Sequence, residues 1–438
     1  MKGRARDSFW SPRSGTGSPL WSSLKQVGVW VLIGWLSLHL LVCQAQAASL
    51  KWGDEQKLLA TAWTLVDRAY VDPTFNGQNW WSVRQKALAQ PLPDREATYH
   101  AIEGMLTSLG DPFTRFLDRQ HYQSLQTSTA GELNGVGLQI AIDEAGRVMV
   151  ISPIEGSPAD QAGILTGDQI VAIDQQPTAG MSLDAVAEKM RGASGTGVDL
   201  WLQRGERQMS VRLLRAAISI HPVRSKWVAG RRAGETVAYI RLNQFNGNAA
   251  QEVKQAIVAA EAQPVAGYIL DLRNNPGGLL QAAIEIAQMW IGEGDIVLVT
   301  DRNGIQDSIR ANSSVLTTAP LVVLVNQGSA SASEVLAGAL QDAKRAVLVG
   351  TQTFGKGLIQ SLFDLPDGSG LAITTAKYMT PQGRDINKLG IHPDFVVELP
   401  QQPLSYEQVA SEQDPQFMAA LHFLRDASAD FGLALSRS

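Results

Sequence analysis

Cysteine is all but missing. The 438 residues hold one, Cys43, directly after the apolar run Val27–Val42. If the segment carrying it is removed, the remaining chain has no disulfide, no thiol nucleophile and no cysteine metal site. Histidine is scarce too, with six residues, and none falls in an H-E-x-x-H pattern. His39 lies in the leading segment, His100, His121 and His422 fall in helical stretches, and His221 and His392 precede prolines. None stands beside a nucleophile motif, so neither a metal site nor a histidine base is expected, and no cofactor is implied. Low-complexity tracts are absent. With 45% hydrophobic and 18% charged residues the composition is that of a globular chain long enough for two or three domains.

Long apolar runs are also few. Val27–Val42 holds 16 residues, short of the roughly 20 that a spanning helix needs. It follows Lys2, Arg4, Arg6, Arg13 and Lys25 and precedes Ala45-Gln46-Ala47. A basic start, a short apolar core and an A-x-A site predict a secretory signal peptide over 1–47, and hence an exported protein. The alternative is an uncleaved anchor; membrane association is then peripheral or through that segment alone. A lipoprotein site at Cys43 is disfavoured, because Val42 stands where a very small residue is required. Loss of 1–47 removes five positive charges and one negative, taking the formal charge from −5 to about −9. An acidic exported protein is a poor partner for nucleic acid.

What is present changes period along the chain. Residues 48–126 read as a helical region: Leu58, Leu59, Ala62, Leu65, Val66 and Ala69 share one helical face, as do Ala101, Met105, Leu106 and Leu109. Between them VDPTFNGQNW (71–80) reads as a turn. Residues 127–215 read as a compact mixed unit, with strands at 135–143, 147–154, 168–174 and 198–204 and helices at 157–163 and 182–192. From 216 to 400 strand and helix alternate, which predicts an α/β layered core. The tail 401–438 is again helical.

GTQTFGKGLIQ (350–360) has phosphate-loop spacing up to Gly357, which stands where Ser or Thr would bind Mg²⁺. A helix should follow such a loop. LIQSLFDLPDGSG instead alternates and ends in turn residues, as a strand would. The expectation is no nucleotide. In an extended segment Lys356, Leu358 and Gln360 share a face. Among Phe354, Leu358 and Ile359 the amine would be desolvated, its pKa lowered, and its neutral form usable as a general base. Twenty-five residues upstream, QGSASASEVL (327–336) enters a helix directly after a strand. A serine there gains from the helix N-terminus, although Ser331 and Glu334 equally fit a plain capping box. In DLRNNPGGLL (271–280), Gly277 and Gly278 could offer bare N–H groups to an oxyanion or simply make a turn. Three such junctions in one α/β sheet would meet at one edge.

SASASE (329–334) with TFGKGLIQ (353–360) resembles the carboxyl-terminal processing proteases, serine endopeptidases with a Ser–Lys pair. GVGLQI (135–140), SPADQAGILTGDQIVAID (157–174) and LDLRNNPGG (270–278) match as well. YVDPTFNGQNW (70–80) and DPFTRFL (111–117) resemble the cyanobacterial and chloroplast branch, which processes the photosystem II reaction-centre precursor. The resemblance implies an α/β protease core with ClpP/crotonase-like layers of sheet and helix, an inserted PDZ domain over 127–215, and helical terminal segments. It implies Ser331 as nucleophile, Lys356 as base, Gln360 as the residue orienting the lysine, and Gly277 with the Ala332 N–H as oxyanion donors. Glu334 and Asp342 would be supporting acids. Gly135, Val136, Gly137 and Leu138 would receive a terminal carboxylate, with the peptide added as a strand. The expected partners are proteins with free C-terminal tails, in the periplasm or thylakoid lumen. The alternative is a catalytically silent PDZ scaffold or holdase.

Overall fold

The computed structural model describes residues 52–143, 145–154, 156–230, 234–304, 306–400 and 408–425. The expected signal peptide, Cys43 and the two ends of the expected C-terminal segment lie outside these residues. No helix among those described is long and apolar enough to cross a membrane.

A six-stranded sheet forms the centre, in the order Val223–Ala229, Thr236–Leu242, Val265–Asp271, Leu321–Val325, Ala346–Gly350, Phe395–Val396. The first pair is antiparallel and the others parallel. Strands buried on both sides read as unbroken apolar runs, and LVVLV and AVLVG do so. Period two then divides them. Leu321, Val323 and Val325 face the helices Ala249–Glu261, Leu280–Gln288 and Ala332–Asp342. Val322 and Leu324 face Phe417, Ala420, Leu421 and Leu424 of a helix over 415–425. Helices on both faces put every crossover loop at a sheet end, and the loops after 271, 325 and 350 share the carboxyl edge.

A second sheet holds Asp295–Asp301, Gln306–Arg310, Leu358–Asp364 and Gly370–Met379. Its remaining strand, Arg115–Leu117, pairs antiparallel with 370–372. That strand departs from the all-helical reading of 48–126, since its partner lies some 250 residues away and leaves no local periodicity. Helices Asp54–Ala69, Trp80–Leu88, Arg95–Thr107 and Arg119–Ala130 account for most of the rest of the region. Asp94 caps the third at Ala97 N (2.9 Å) and Asp118 the fourth at His121 N (2.8 Å).

The middle unit is a sheet of Leu138–Ile142, Val148–Pro153, Gln169–Ile173, Gly197–Arg204 and Arg207–Leu214, with the short strand Gln176–Pro177 beside the third. Helices Pro158–Gln161 and Leu183–Met190 start at capping Ser157 and Ser182. The strand 207–214 is absent from the sequence reading, although Met209, Val211 and Leu213 alternate with polar residues and face the core. A two-stranded ribbon, Glu132–Gly135 with Ala216–Ser219, carries the chain into this unit and out again. Its foot is held on the core by Asn248, whose amide donates to Gly131 O and Ile220 O (both 3.1 Å).

Candidate active site

The three junctions converge. Ser331 begins the helix Ala332–Asp342 with φ 56° and ψ −116°, a conformation that a non-glycine residue holds only when its surroundings impose it. Those surroundings are Gly277, with φ 96°. A Cβ there would lie 2.8 Å from Ser331 Cβ and 2.9 Å from Ala332 N. Only glycine lets the two loops close in this way.

The three serines of SASAS differ in what they can do. Ser329 and Ser333 are fully buried. Ser329 Oγ donates to Leu272 O (2.8 Å) and Ser333 Oγ to Asn275 O (2.9 Å). Ser331 stays half-buried, at the end of a helix whose dipole favours developing negative charge.

Glu334 joins the helix that follows Ser331 to the loop of Lys356. Its carboxylate is wholly buried and accepts from Ser331 N (2.8 Å), Gly355 N (2.7 Å), Lys356 N (2.9 Å) and Thr353 Oγ1 (2.5 Å). Four donors on one carboxylate set the spacing of the two loops. The reach of Glu334 back to Ser331 N is the capping geometry, and its other bonds make it more than a cap.

Lys356 lies before the strand Leu358–Asp364, not in it, and a register shift between Ile359 and Gln360 breaks the alternation. The shared face expected for Lys356, Leu358 and Gln360 therefore does not form. Its apolar neighbour also differs from expectation. Phe354 is 61% exposed, whereas Lys356 Nζ lies 4.6 Å from the centroid of the Phe113 ring. Burial and the Arg115 charge lower its pKa, opposed by Asp111 and Glu334. No hydrogen bond joins Lys356 Nζ to Ser331 Oγ among the described residues, and Gln360 Nε2 is buried without a partner.

Asn275 and Tyr378 belong to the site and were not singled out from sequence. Gly277 N donates to Asn275 Oδ1 (2.9 Å), an Asx turn, so that N–H is engaged in this state. The Asn275 backbone carbonyl accepts from Ala330 N (3.0 Å) and Ser333 Oγ, locking the two loops together. Asn before Pro-Gly-Gly was the available signal. Tyr378 Oη donates to Lys356 O. Burial pushes this phenol far above its ordinary pKa, and a hydrogen bond with Ser331 only partly opposes the shift. Nothing in the local sequence marks Tyr378, because its role depends on strand pairing.

Asp342 stands at the far end of the helix that follows Ser331, eleven residues or about 16 Å along. It pairs with Arg384 and accepts from Gln382 N (2.9 Å), contacting neither Ser331 nor Lys356. In the middle unit, Gly135 is paired with Ala216 in the ribbon and Val136 is buried. Gly137 (φ 80°) packs on Ser157, and Leu138 opens the edge strand 138–142, whose far side carries no strand of its sheet. Among the described residues no group of three or more metal-ligating side chains forms.

The family model of peptidase family S41 matches residues 236–397, and that of the PDZ domain matches 149–204. The chain is 52% identical over 380 residues to the carboxyl-terminal-processing protease of Synechocystis sp., covering 86% of this chain and 88% of that one. With the chloroplastic C-terminal processing peptidase of Tetradesmus obliquus it is 43% identical over 370 residues, covering 81% and 80%. A solved photosystem II D1 C-terminal processing protease shares 42% identity at a TM-score of 0.57, covering 84% of this chain and 100% of that one. The alternative of a silent scaffold finds no support in these likenesses. The α/β core, the PDZ unit and these relatives lead to one conclusion: the chain belongs to the carboxyl-terminal-processing proteases of peptidase family S41, and is a serine-type peptidase acting on protein substrates.

Proposed function

We propose that this protease is an exported endopeptidase working through Ser331 and Lys356. The neutral Lys356 amine takes the Ser331 proton as Oγ attacks the scissile carbonyl, and returns it to the leaving amine as the C–N bond breaks. Water then hydrolyses the ester, with its proton passing through the same amine. Ala332 N and Gly277 N donate to the oxyanion, the latter after Asn275 Oδ1 gives way. Gln360, whose buried amide lacks a partner, turns to the lysine once the amine moves toward Ser331. Glu334 holds the loops in register, and Asp342 supports the site at a distance through the Arg384 loop.

The observation that carries this reading is the buried Glu334 carboxylate bonding the backbone N–H of both Ser331 and Lys356. It holds a hydroxyl and a desolvated amine on facing loops. Substrate tails enter at the Gly135-Val136-Gly137-Leu138 loop and add to the free edge of Leu138–Ile142. The domain limits follow as 127–215 for the PDZ unit and 216–400 for the protease core, with the signal over 1–47 directing export to periplasm or lumen. The photosystem II D1 precursor is the first substrate to test, because a protease solved under that name is 42% identical. The decisive experiment incubates a C-terminally extended precursor with wild-type, Ser331→Ala and Lys356→Ala proteins, reading fragments by mass spectrometry. Both variants should be inert, and normal turnover in either would refute the pair.

A further inference from the structure

DPFTRFL (111–117) is unclaimed by the chemistry above, yet it surrounds the base. Asp111 Oδ1 accepts from Phe113 N (2.9 Å). Asp111 Oδ2 accepts from Thr114 Oγ1 and Thr374 Oγ1 (both 2.7 Å), and Thr374 N donates to Thr114 Oγ1 (3.0 Å). Arg115 then pairs with Ala372 in the sheet. Phe113 is thus fixed to the strand Gly370–Met379. The same strand carries Tyr378, which holds the Lys356 carbonyl. Ring and amine are mounted on one support, 4.6 Å apart.

From this geometry we infer that Phe113 is a positioning residue for Lys356: its ring holds the amine as the ammonium, turned from Ser331, until substrate draws it across. The inference rests on Lys356 being the base. A ring face attracts the cation and not the neutral amine. Leaving the ring and losing the proton are therefore coupled. The other charged or titratable groups facing Lys356 are Asp111 and Arg115 from the same segment, Glu334 from the nucleophile helix and Tyr378 from the strand. All remain in place when only the ring is changed. Two further features fit a site held back: Gly277 N given to Asn275, and Gln360 Nε2 unpaired.

The test compares Phe113→Leu, which keeps an apolar side chain but removes the π face, with Phe113→Trp, which strengthens it. Two midpoints are read. One is the ascending limb of kcat/KM against pH for a peptide substrate. The other is the pH dependence of Lys356 acetylation by acetic anhydride in a Ser331→Ala background, followed by mass spectrometry. Removing a group that favours the ammonium lowers the pKa. Leu should therefore move both midpoints to lower pH by about half a unit to one unit, and Trp should move them higher. Midpoints unchanged in both variants, moved in the same direction, or reversed, with Leu raising them as relieved burial would, would overturn the inference. Should the Leu variant fail to fold, Trp decides alone, and midpoints that do not rise above the wild-type values overturn the inference. Turnover persisting in Lys356→Ala would remove the premise itself; an inert Lys356→Ala with unmoved Phe113 midpoints would remove the ring's role alone.

Discussion

At the scale of single residues, the site is shaped by groups that have no room to vary. Gly277→Ala would force a Cβ against Ser331 Cβ and Ala332 N and into a positive φ. We expect kcat to fall by about 10²-fold to 10³-fold, the cost of a misplaced oxyanion donor, in single-turnover assays. Gln360 shows the opposite balance. Its buried Nε2 has no partner, and an unmet donor costs on the order of 1 to 3 kcal/mol. Gln360→Leu should raise the urea midpoint while lowering turnover. On the proposed mechanism Lys356 sets the pH response. Burial, aided by Arg115, lowers its pKa from 10.5. The neutral base therefore appears below that pH, and the ascending limb of kcat/KM should lie on the acid side of 10.5. Ser331 was distinguishable from Ser329 and Ser333 in sequence only by resemblance. The fold adds a physical reason, since the other two hydroxyls are buried on carbonyls contributed by the loop after Asp271. Such a contact is invisible to local spacing.

At the scale of elements, the helix over 415–425 and the segment before it secure the loop that carries Gly277. Arg273 is buried between Asp271 (2.7 Å) and Asp414 (2.8 Å), and Tyr239 Oη donates to Asp271 (2.6 Å). Burial pushes the Asp271 carboxyl upward, but the Arg273 charge and its hydrogen bonds outweigh that and leave it below the ordinary range. A depressed carboxyl contributes stability above its unfolded pKa, near 3.8, and loses it as pH falls through the folded value. Asp414→Ala should destabilise by on the order of 3 kcal/mol, because it strips a partner from a buried cation. Urea unfolding at neutral pH measures it. The helical period of the tail was legible, but not what it covers. FMAALHFL does not say that Phe417 meets Tyr239 edge-on at 5.6 Å.

At the scale of the whole molecule, protease core and PDZ unit are linked by two routes. One is the ribbon 132–135 with 216–219. The other is the helix Arg119–Ala130, which runs from Tyr122, bonded to Asp364 (2.8 Å), to Gly131 at the ribbon. A tail bound on Leu138–Ile142 as proposed would thereby be tied to the strand that carries Gln360. Amidating a substrate's C-terminus removes charge-assisted bonds of about 1.5 to 3 kcal/mol, so KM should rise at least about tenfold with little change in kcat; an unchanged KM would exclude carboxylate capture. The sequence by itself determined the layered core, a compact mixed unit ahead of it and the order of the motifs, because apolar period and turn residues are local properties of a chain; that the unit is a PDZ domain was legible only by resemblance. Only the tertiary structure decided that Glu334 joins both loops, that Lys356 rests on Phe113 instead of sharing a face with Gln360, and that Asp342 lies far from the chemistry. Those facts come from contacts between residues tens to hundreds of positions apart, and no periodicity encodes such distances.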